Sequence, residues 1–277
     1  IGIGGGKLLD LAKSAGNSLQ KEIILIPTLA STCAAWTPLS VIYDDNGSYV
    51  RYDIHEKNAW MLFIEPGILL NSPINYLRAG IGDTLAKWYE GNALAEKLAT
   101  KSVCIELAHL AARECQEVLL TYGEEALGDL ENGKWTDSLQ RVIETNIITS
   151  GLVGGFGDQY LRVAGAHSIH NGMTTITQTH HLLHGEKVAY GILVQLVLEG
   201  KFSEIKQLLP IYQVLKLPMT FLDIGLTVEH KAELQQIAAH SVKEGEDIHL
   251  LFPDINKEKV AAAMENLEIL TNHASPS

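Results

Sequence analysis

Histidines are concentrated in one short part of the chain. Five of the 11 histidines lie between positions 167 and 184: His167, His170, His180, His181 and His184. Neutral imidazole is the commonest metal ligand in proteins, so a divalent cation is one hypothesis for this cluster. A histidine-rich tract is only a compositional signal, and the same residues also fit polar side chains around a loop and two helix ends.

Asp83 is a candidate partner for these imidazoles. It follows Gly80-Ile81-Gly82 and precedes a predicted helix. In that position an aspartate is most simply the N-cap of the helix, and the segment by itself favours this interpretation. As a metal ligand, Asp83 would instead add a carboxylate oxygen to the imidazoles. Three protein ligands with an open fourth position form a catalytic zinc site.

A glycine-rich segment opens the chain. Ile1-Gly2-Ile3-Gly4-Gly5-Gly6-Lys7 is typical of a buried strand that turns into a helix. Glycines let the backbone approach a pyrophosphate closely, and a helix N-terminus offers free N–H groups and the positive end of its dipole. The segment matches neither a Walker loop nor a strict G-x-G-x-x-G motif. A purely structural tight turn therefore stays an alternative.

Composition excludes several classes of protein. The 277 residues suit one large or two ordinary domains. A net charge of −12 without a basic block disfavours binding to nucleic acid or to an anionic membrane, and no apolar stretch is long enough for a membrane span. The three cysteines form neither a metal-type pair nor an even disulfide set, which indicates a reducing, cytoplasmic setting.

Strands are predicted only in the first part of the chain. Residues 21–28 read as a buried parallel strand, 41–43 and 48–54 as a hairpin across a turn at 44–47, and 59–65 as another buried strand. Small hydroxylated residues follow the first of these strands, where open α/β sheets bind ligands. From position 71 the pattern becomes helical, beginning with Ser72 as a capping residue and Pro73 at the first helical position.

Helices account for most of the remaining chain. They are predicted over 83–94, 101–120, 135–152, 185–199, 203–209 and 231–241, with a frayed tail over 272–277. The predicted organisation is an α/β domain over residues 1–70 and a helical domain over 71–277. The chain opens at Ile1 without Met, directly on the glycine-rich segment. A nucleotide-binding sheet normally has strands before such a motif, so we expect an opening segment to be missing.

Several segments together resemble one family, the iron-containing alcohol dehydrogenases. The match is closest to the glycerol dehydrogenase branch and, within it, to hydroxycarboxylate dehydrogenase relatives. It runs over residues 2 to about 217, in the same order. The segments that carry it are GGGKLLDLAK from Gly4, PTLASTCAAWTPLSVIY from Pro27, GIGDTLAKWYE from Gly80, AHSIHNG from Ala166 and HGEKVAYGILVQLVLE from His184.

The resemblance implies a dehydroquinate synthase-like architecture: an α/β nucleotide-binding domain, incomplete at its start, followed by an all-helical metal-binding domain, with the active site in the cleft between them. It implies a metal on Asp83, His167 and His184. Iron-type members have a fourth ligand, a histidine, at the position of Lys87. A cationic lysine cannot fill that role, so zinc is expected before iron or another divalent metal. His170 is implied to lie near the nicotinamide or substrate, as a candidate proton carrier.

The resemblance also implies a dinucleotide cofactor, NAD or NADP. The residue that distinguishes the two lies early in such folds, so the choice stays open. The implied cofactor-binding residues are Gly4, Gly5, Gly6, Lys7, Asp10, Thr28, Ser31, Thr37, Leu39 and Tyr43.

Cys33 is the most informative departure from the branch. Glycerol dehydrogenases have an aspartate there that contacts the polyol. Without it, the site lacks an acceptor for hydroxyl groups and also a repulsive charge against anions. The expected substrate is therefore a small 2-oxo or 2-hydroxy acid rather than glycerol, with Lys87 and Arg162 as candidates for holding its carboxylate.

Two alternatives to a dehydrogenase stay open. A dehydroquinate synthase-like lyase would share the fold, although few Arg or Lys residues stand near the histidines to bind a phosphorylated substrate. An inactive fragment would result if the opening segment is absent in the cell. The expected partners are a small-molecule substrate and a dinucleotide, without nucleic acid or membrane, in a homo-oligomer.

Overall fold

The first part of the chain forms two small sheets and one long helix. A computed structural model describes residues 1–44 and 49–274, with side chains except at positions 43, 273 and 274. Its parallel sheet has the order β1 (Gly2–Gly4), β2 (Ile24–Pro27), β5 (Met61–Leu62). β3 (Leu39–Tyr43) and β4 (Tyr49–Ile54) pair antiparallel. The predicted parallel strand and hairpin are confirmed, while most of the predicted turn lies outside the described residues.

Helices form the rest of the molecule. Those described are α1 (Gly6–Ser18), α2 (Pro66–Leu69), α3 (Ile74–Ala95), α4 (Val103–Glu131), α5 (Asp137–Glu144), α6 (Ser150–Gly157), α7 (Gly165–Met173), α8 (His184–Leu198), α9 (Phe202–Leu215), α10 (Lys231–Ser241), α11 (Ile248–Leu251) and α12 (Lys257–Ala274). A strand-bearing first part followed by a helical part confirms the predicted fold class. The boundary at residue 70 stays a prediction.

The predicted strand over 59–65 is largely wrong. Only β5 forms there, and Trp60 and Phe63 are 59% and 51% exposed. β1 is likewise buried only on one face, because Ile3 is 53% exposed while Gly2 is buried. Aromatic and branched residues gave these segments the composition of buried strands, but only the tertiary packing decides how much of each is covered.

A helix begins close to the predicted start at Ser72 and Pro73, but α3 runs unbroken through position 83, so Asp83 lies inside the helix and is not an N-cap. Pro73 is the residue before the first helical turn, and the Ser72 hydroxyl donates to Leu69 O instead of capping. Gly80 and Gly82 suggested a break but lie inside the helix. A Cβ on Gly80 would stand 2.0 Å from Ala30 O, so this glycine is required by close packing and not by a turn.

Other helix boundaries also differ from the predictions. The predicted helix over 135–152 is interrupted by one π-helical turn, Thr145–Thr149, between α5 and α6. α7 was not predicted, and α12 continues to Ala274 where a frayed tail was expected. Polar residues in both helices interrupt the periodic spacing of apolar residues that would have predicted them. These helices are stabilised mainly by packing against their neighbours, which the sequence pattern does not reveal.

The two parts of the chain share one hydrophobic core. Leu9 and Leu25 from the first part belong to the same buried cluster as Leu77, Ile81 and Leu85 of α3. The carbonyl of Ala30 also accepts a hydrogen bond from the buried Asn146 side chain, at 3.1 Å. None of the described helices combines the length and apolarity that crossing a membrane requires. The core therefore holds the carboxyl ends of the strands against α3.

Candidate active site

Helix α3 presents three charged side chains toward the interior. Asp83, Lys87 and Glu90 follow each other at four and three residues, which places them on one face of an α-helix. They are 2%, 4% and 0% exposed. Charged side chains are rarely buried unless they are paired, so this face must meet partners of matching chemistry.

Asp83 meets two imidazoles. One ligand atom each from Asp83, His167 and His184 lies within 4.8 Å of the others. Asp83 Oδ1 is 3.3 Å from Nε2 of both histidines. Neither contact has hydrogen-bond geometry, and Oδ1 is a buried acceptor without a donor. The structure thus brings together the three residues that the resemblance implied as metal ligands.

Glycines make this convergence possible. A Cβ on Gly82 would stand 2.4 Å from Gly185 O, and one on Gly185 would stand 1.7 Å from Ala79 O. α3 and the first turn of α8 therefore touch backbone to backbone, beside Asp83 and His184. Leu183 precedes α8, and its N–H donates to the Glu186 carboxylate at 2.8 Å, which fixes His184 as the first residue of that helix.

The cluster contains a second carboxylate that the sequence analysis did not identify. Glu90 Oε2 lies 2.6 Å from His167 Nδ1, and Glu90 Oε1 accepts the backbone N–H groups of Ala164 and His167 at 2.7 and 2.9 Å. The signal was available, because Glu90 stands two helical turns after Asp83 on the same face. Its partner, however, is 77 residues away in sequence.

His170 lies directly behind the three convergent residues. It is 3% exposed, its ring centroid is 4.1 Å from that of His184, and its Nδ1 is 3.0 Å from Asn171 Oδ1. Burial, together with the nearby charges of His184 and His167, lowers the pKa of His170 well below its usual value. His170 is therefore neutral at physiological pH. His180 and His181 are exposed and do not belong to this convergent group.

The buried charges perturb one another. Burial alone would raise the pKa of Asp83, but His184, His167 and Lys87 outweigh it and hold that pKa well below the ordinary value. Burial alone would lower the pKa of His167, but Glu90 and Asp83 outweigh it and raise that pKa to about 9. Burial would likewise lower the pKa of Lys87, yet Asp83, Cys33 and Glu90 together raise it, so Lys87 is a cation.

These three residues fit a divalent metal. The set offers one carboxylate oxygen and two imidazole nitrogens, which are ligands that Zn²⁺ and Fe²⁺ accept. The orphaned Asp83 Oδ1 is explained by a cation between it and the imidazoles, since a buried acceptor without a donor is otherwise destabilising. Lys87 shares the face but, as a cation, is not a ligand.

A cavity of about 660 Å³ connects the cluster of Asp83, His167 and His184 to the first part of the chain. Of the predicted cofactor-binding residues, seven line it: Gly5, Gly6, Lys7, Asp10, Ser31, Thr37 and Leu39. Gly4 and Thr28 do not, because they are engaged in the ends of β1 and β2, where Thr28 N–H donates to Gly4 O at 3.0 Å. The Tyr43 side chain lies outside the described residues.

The predicted substrate residues line the same cavity. Cys33 begins a short 3₁₀ helix, Cys33–Ala35, and is partly buried. Lys87 Nζ donates to Arg162 O at 3.4 Å. Arg162 pairs with Asp158 at 2.9 Å, and its Nε has no hydrogen-bond acceptor among the described residues.

Tyr49, Tyr52 and Asp247 are among the cavity residues that the sequence analysis did not identify. The Arg162 guanidinium lies 5.7 Å from the ring centroid of Tyr52. Burial, with a smaller contribution from Glu90, raises the pKa of Asp247 to about 6. Tyr49 and Tyr52 lie on β4, and Asp247 lies between α10 and α11, beyond the segments that carry the resemblance. Only the tertiary structure brings the three residues to one cavity.

Comparison with known proteins identifies the family. The family model described as "Iron-containing alcohol dehydrogenase" matches residues 1–64. Hydroxycarboxylate dehydrogenase A of Escherichia coli (strain K12) is 43% identical over 268 residues, which cover 97% of this chain and 74% of that protein. The chain belongs to the iron-containing alcohol dehydrogenase family. It is an oxidoreductase, as the predicted resemblance implied.

Other members of this family agree with that assignment. Glycerol dehydrogenase of Citrobacter freundii is 39% identical over 274 residues, covering 98% of this chain and 74% of that protein. The structure of a probable glycerol dehydrogenase from Sinorhizobium meliloti 1021 superposes with a TM-score of 0.91 at 29% identity, covering 99% of this chain and 77% of that one. The relatives place the chain in the glycerol and hydroxycarboxylate dehydrogenase branch.

Proposed function

We propose that this protein catalyses the metal-dependent, NAD(P)-linked interconversion of a small 2-hydroxy acid and its 2-oxo acid. The family membership supports the reaction class. The preference for an acid over glycerol comes from residues of the cavity itself, above all from the environment of Lys87.

Lys87 carries the proposal because its ammonium is buried but weakly satisfied. Among the described residues its one hydrogen-bond acceptor is Arg162 O, at the long distance of 3.4 Å. An ammonium group has three donors, and a buried cation without acceptors is costly. A substrate carboxylate in the cavity would supply both the acceptors and the opposite charge, and the unpaired Nε of Arg162 would add a second donor.

Cys33 supports the same preference. It lines the same cavity as Lys87 and is one of the groups that affect the pKa of that lysine. A carboxylate at position 33, as the glycerol dehydrogenase resemblance implies for polyol-binding members, would compete with the substrate for Lys87. The thiol leaves the ammonium available.

The chain's own residues then have distinct tasks. Asp83, His167 and His184 would hold the metal, and Lys87 with Arg162 would bind and orient the carboxylate. Gly5 and Gly6, with the uncapped start of α1, would offer backbone N–H groups to phosphates. When bound, the metal supplies a Lewis acid for the substrate oxygen, and the nicotinamide donates or accepts the hydride.

His170 is placed to move the proton. Its imidazole is neutral and lines the cavity beside His184. Its Nδ1 is oriented by Asn171, whose amide also donates to the Glu246 carboxylate at 3.0 and 3.3 Å. A neutral imidazole held in this way can accept or release a proton through its other nitrogen or through a water.

A substrate comparison tests the proposal. The purified protein, loaded with Zn²⁺ or Fe²⁺, is assayed with NADH and NADPH against 2-oxobutyrate and 2-oxoglutarate, and with NAD and NADP against glycerol. We expect oxidation of reduced nicotinamide with a 2-oxo acid and slow turnover of glycerol. Efficient glycerol oxidation would contradict the acid preference.

The same assay addresses the remaining alternatives. A dehydroquinate synthase-like lyase would show no net turnover of nicotinamide with a simple 2-oxo acid, and an inactive fragment would show none with any substrate. The relatives named above are dehydrogenases, which favours the oxidoreductase. The choice between NAD and NADP stays open. Zinc as the metal, the homo-oligomer and the cytoplasmic location stay predictions.

A further inference from the structure

Glu90 is a fully buried residue of α3 whose carboxylate lies against the start of α7. It does not line the cavity, yet it accepts three hydrogen bonds, from the backbone N–H groups of Ala164 and His167 and from the His167 ring. We propose that Glu90 is a positioning residue, which selects the tautomer of His167 that leaves Nε2 free to bind the metal. This inference rests on the proposed metal site.

The start of α7 is capped by side chains from other helices. No side chain of its own caps this helix, which begins after Ala164. Glu90 Oε1 accepts the N–H groups of Ala164 and His167, and Gln195 Oε1 accepts that of Ala166 at 3.1 Å. Two side chains from neighbouring helices therefore satisfy N–H groups that a helix start leaves free, and the charge of Glu90 also suits the positive end of the dipole.

The Glu90 carboxylate also decides which nitrogen of the His167 imidazole carries a proton. With Oε1 occupied by backbone donors, Oε2 is left 2.6 Å from His167 Nδ1. An ionised carboxylate only accepts, so Nδ1 must carry a proton. A metal binds only the neutral imidazole, so the second proton must leave Nε2, and Nε2 is the atom that faces Asp83 at 3.3 Å. A carboxylate behind a ligating histidine commonly fixes its tautomer and ring orientation in this way.

Glu90→Gln separates this role from simple packing. The glutamine oxygen would stay with the two backbone N–H groups, and its amide NH₂ would face Nδ1. Nδ1 would then have to accept, and the proton would move to Nε2, where it blocks the metal. We expect the apparent affinity for Zn²⁺ to fall roughly 10- to 100-fold, as substitutions behind metal ligands typically do.

Two variants serve as controls. Glu96→Gln makes the same substitution at the exposed end of α3, where Glu96 Oε1 accepts from Asn92 at 3.0 Å, and should leave affinity unchanged. Gln195→Met removes the other side chain that caps α7 without touching His167. It should lower the melting temperature while changing Zn²⁺ affinity much less than Glu90→Gln does.

The experiment measures Zn²⁺ binding by competition with a chromophoric chelator, and the His167 tautomer by NMR of the Zn²⁺-loaded protein labelled with nitrogen isotopes in histidine. Wild-type affinity in a folded Glu90→Gln protein, or a proton on Nε2 of wild-type His167, would overturn the proposal. The tautomer measurement needs no variant, so it decides the question even if Glu90→Gln fails to fold. If Asp83→Ala and His184→Ala also bind Zn²⁺ normally, it is the metal site itself that fails.

Discussion

Lys13 and Lys87 are both buried, but their surroundings differ sharply. Lys13 of α1 is 1% exposed and pairs with Asp10 at 2.8 Å, while it also donates to the carbonyls of Thr37 and Leu39. Lys87 of α3 is 4% exposed, and its one acceptor among the described residues is a carbonyl at 3.4 Å.

The difference indicates what each lysine is for. Lys13 is engaged within the protein by one ion pair and two hydrogen bonds to carbonyls, so it connects α1 to the start of β3 and is not available to a ligand. Lys87 has the charge but not the acceptors, and it faces the cavity beside the convergent Asp83. A buried cation is structural where the fold satisfies it and a binding group where the fold leaves it incomplete.

The largest effect is expected at Lys13. Lys13→Met removes the cation that pairs with the Asp10 carboxylate and a donor to the carbonyls of Thr37 and Leu39. We expect unfolding to become about 3 kcal/mol easier, since removing one partner of a buried pair costs that much or more. Chemical denaturation measures it. The double variant Asp10→Asn with Lys13→Met should recover part of the lost stability. If Lys13→Met is as stable as wild type, Lys13 is not the structural residue that the comparison with Lys87 requires.

Lys87→Met should affect substrate binding more than stability, whereas Lys13→Met should affect mainly stability. We expect a smaller loss of stability than for Lys13→Met, but a KM for 2-oxo acids that is roughly 10- to 100-fold higher, the usual range for a lost hydrogen bond to a charged group. Steady-state kinetics and denaturation on the same preparation provide both numbers. Large destabilisation with an unchanged KM would show that Lys87 is a structural residue like Lys13.

Cys33→Asp would place a carboxylate near Lys87, as Asp10 already does for Lys13. The new carboxylate would neutralise the ammonium, so 2-oxo acid turnover should fall roughly 10-fold in kcat/KM while glycerol oxidation rises. Cys33→Asn is the matched control, because it has nearly the same shape without the charge and should change the preference much less. Equal effects of both variants would argue for a steric cause.

The smallest effect concerns Asp247, a cavity carboxylate whose pKa is raised to about 6 by burial. Between its ordinary pKa and about 6 the folded protein holds a proton that the unfolded chain has released, so the charged form destabilises the fold as pH rises. Asp247→Asn should therefore be about 1 kcal/mol more stable than wild type at high pH, after allowance for its partial exposure. Below the ordinary pKa the difference should vanish.

Denaturation at pH values well above and well below that window tests the prediction. Asp254→Asn, at an exposed position between α11 and α12, is the control and should show no gain at either pH. A gain for Asp247→Asn that is independent of pH would show that charge is not its cause.

The sequence predicted the parts of the site that depend on residue type and order. The histidine cluster, the glycine-rich start and the family segments indicated Asp83, His167 and His184, and the structure places their ligand atoms within 4.8 Å. The same reasoning located β2, the β3–β4 hairpin and α10. It missed that α3 continues through Gly80 and Gly82, because glycine is read as a break unless one knows that Ala30 O and Gly185 O lie against the helix.

What residue order alone determined, then, is which groups could do chemistry here: a carboxylate, imidazoles, cations and glycines in a recognisable succession. Only the tertiary structure decided which of them are satisfied within the protein. Glu90 meets His167 across 77 residues, and Lys13 finds three acceptors where Lys87 finds one. The reason is physical. Hydrogen bonding and desolvation depend on distances between atoms that are remote in sequence, and these are fixed only when the helices pack.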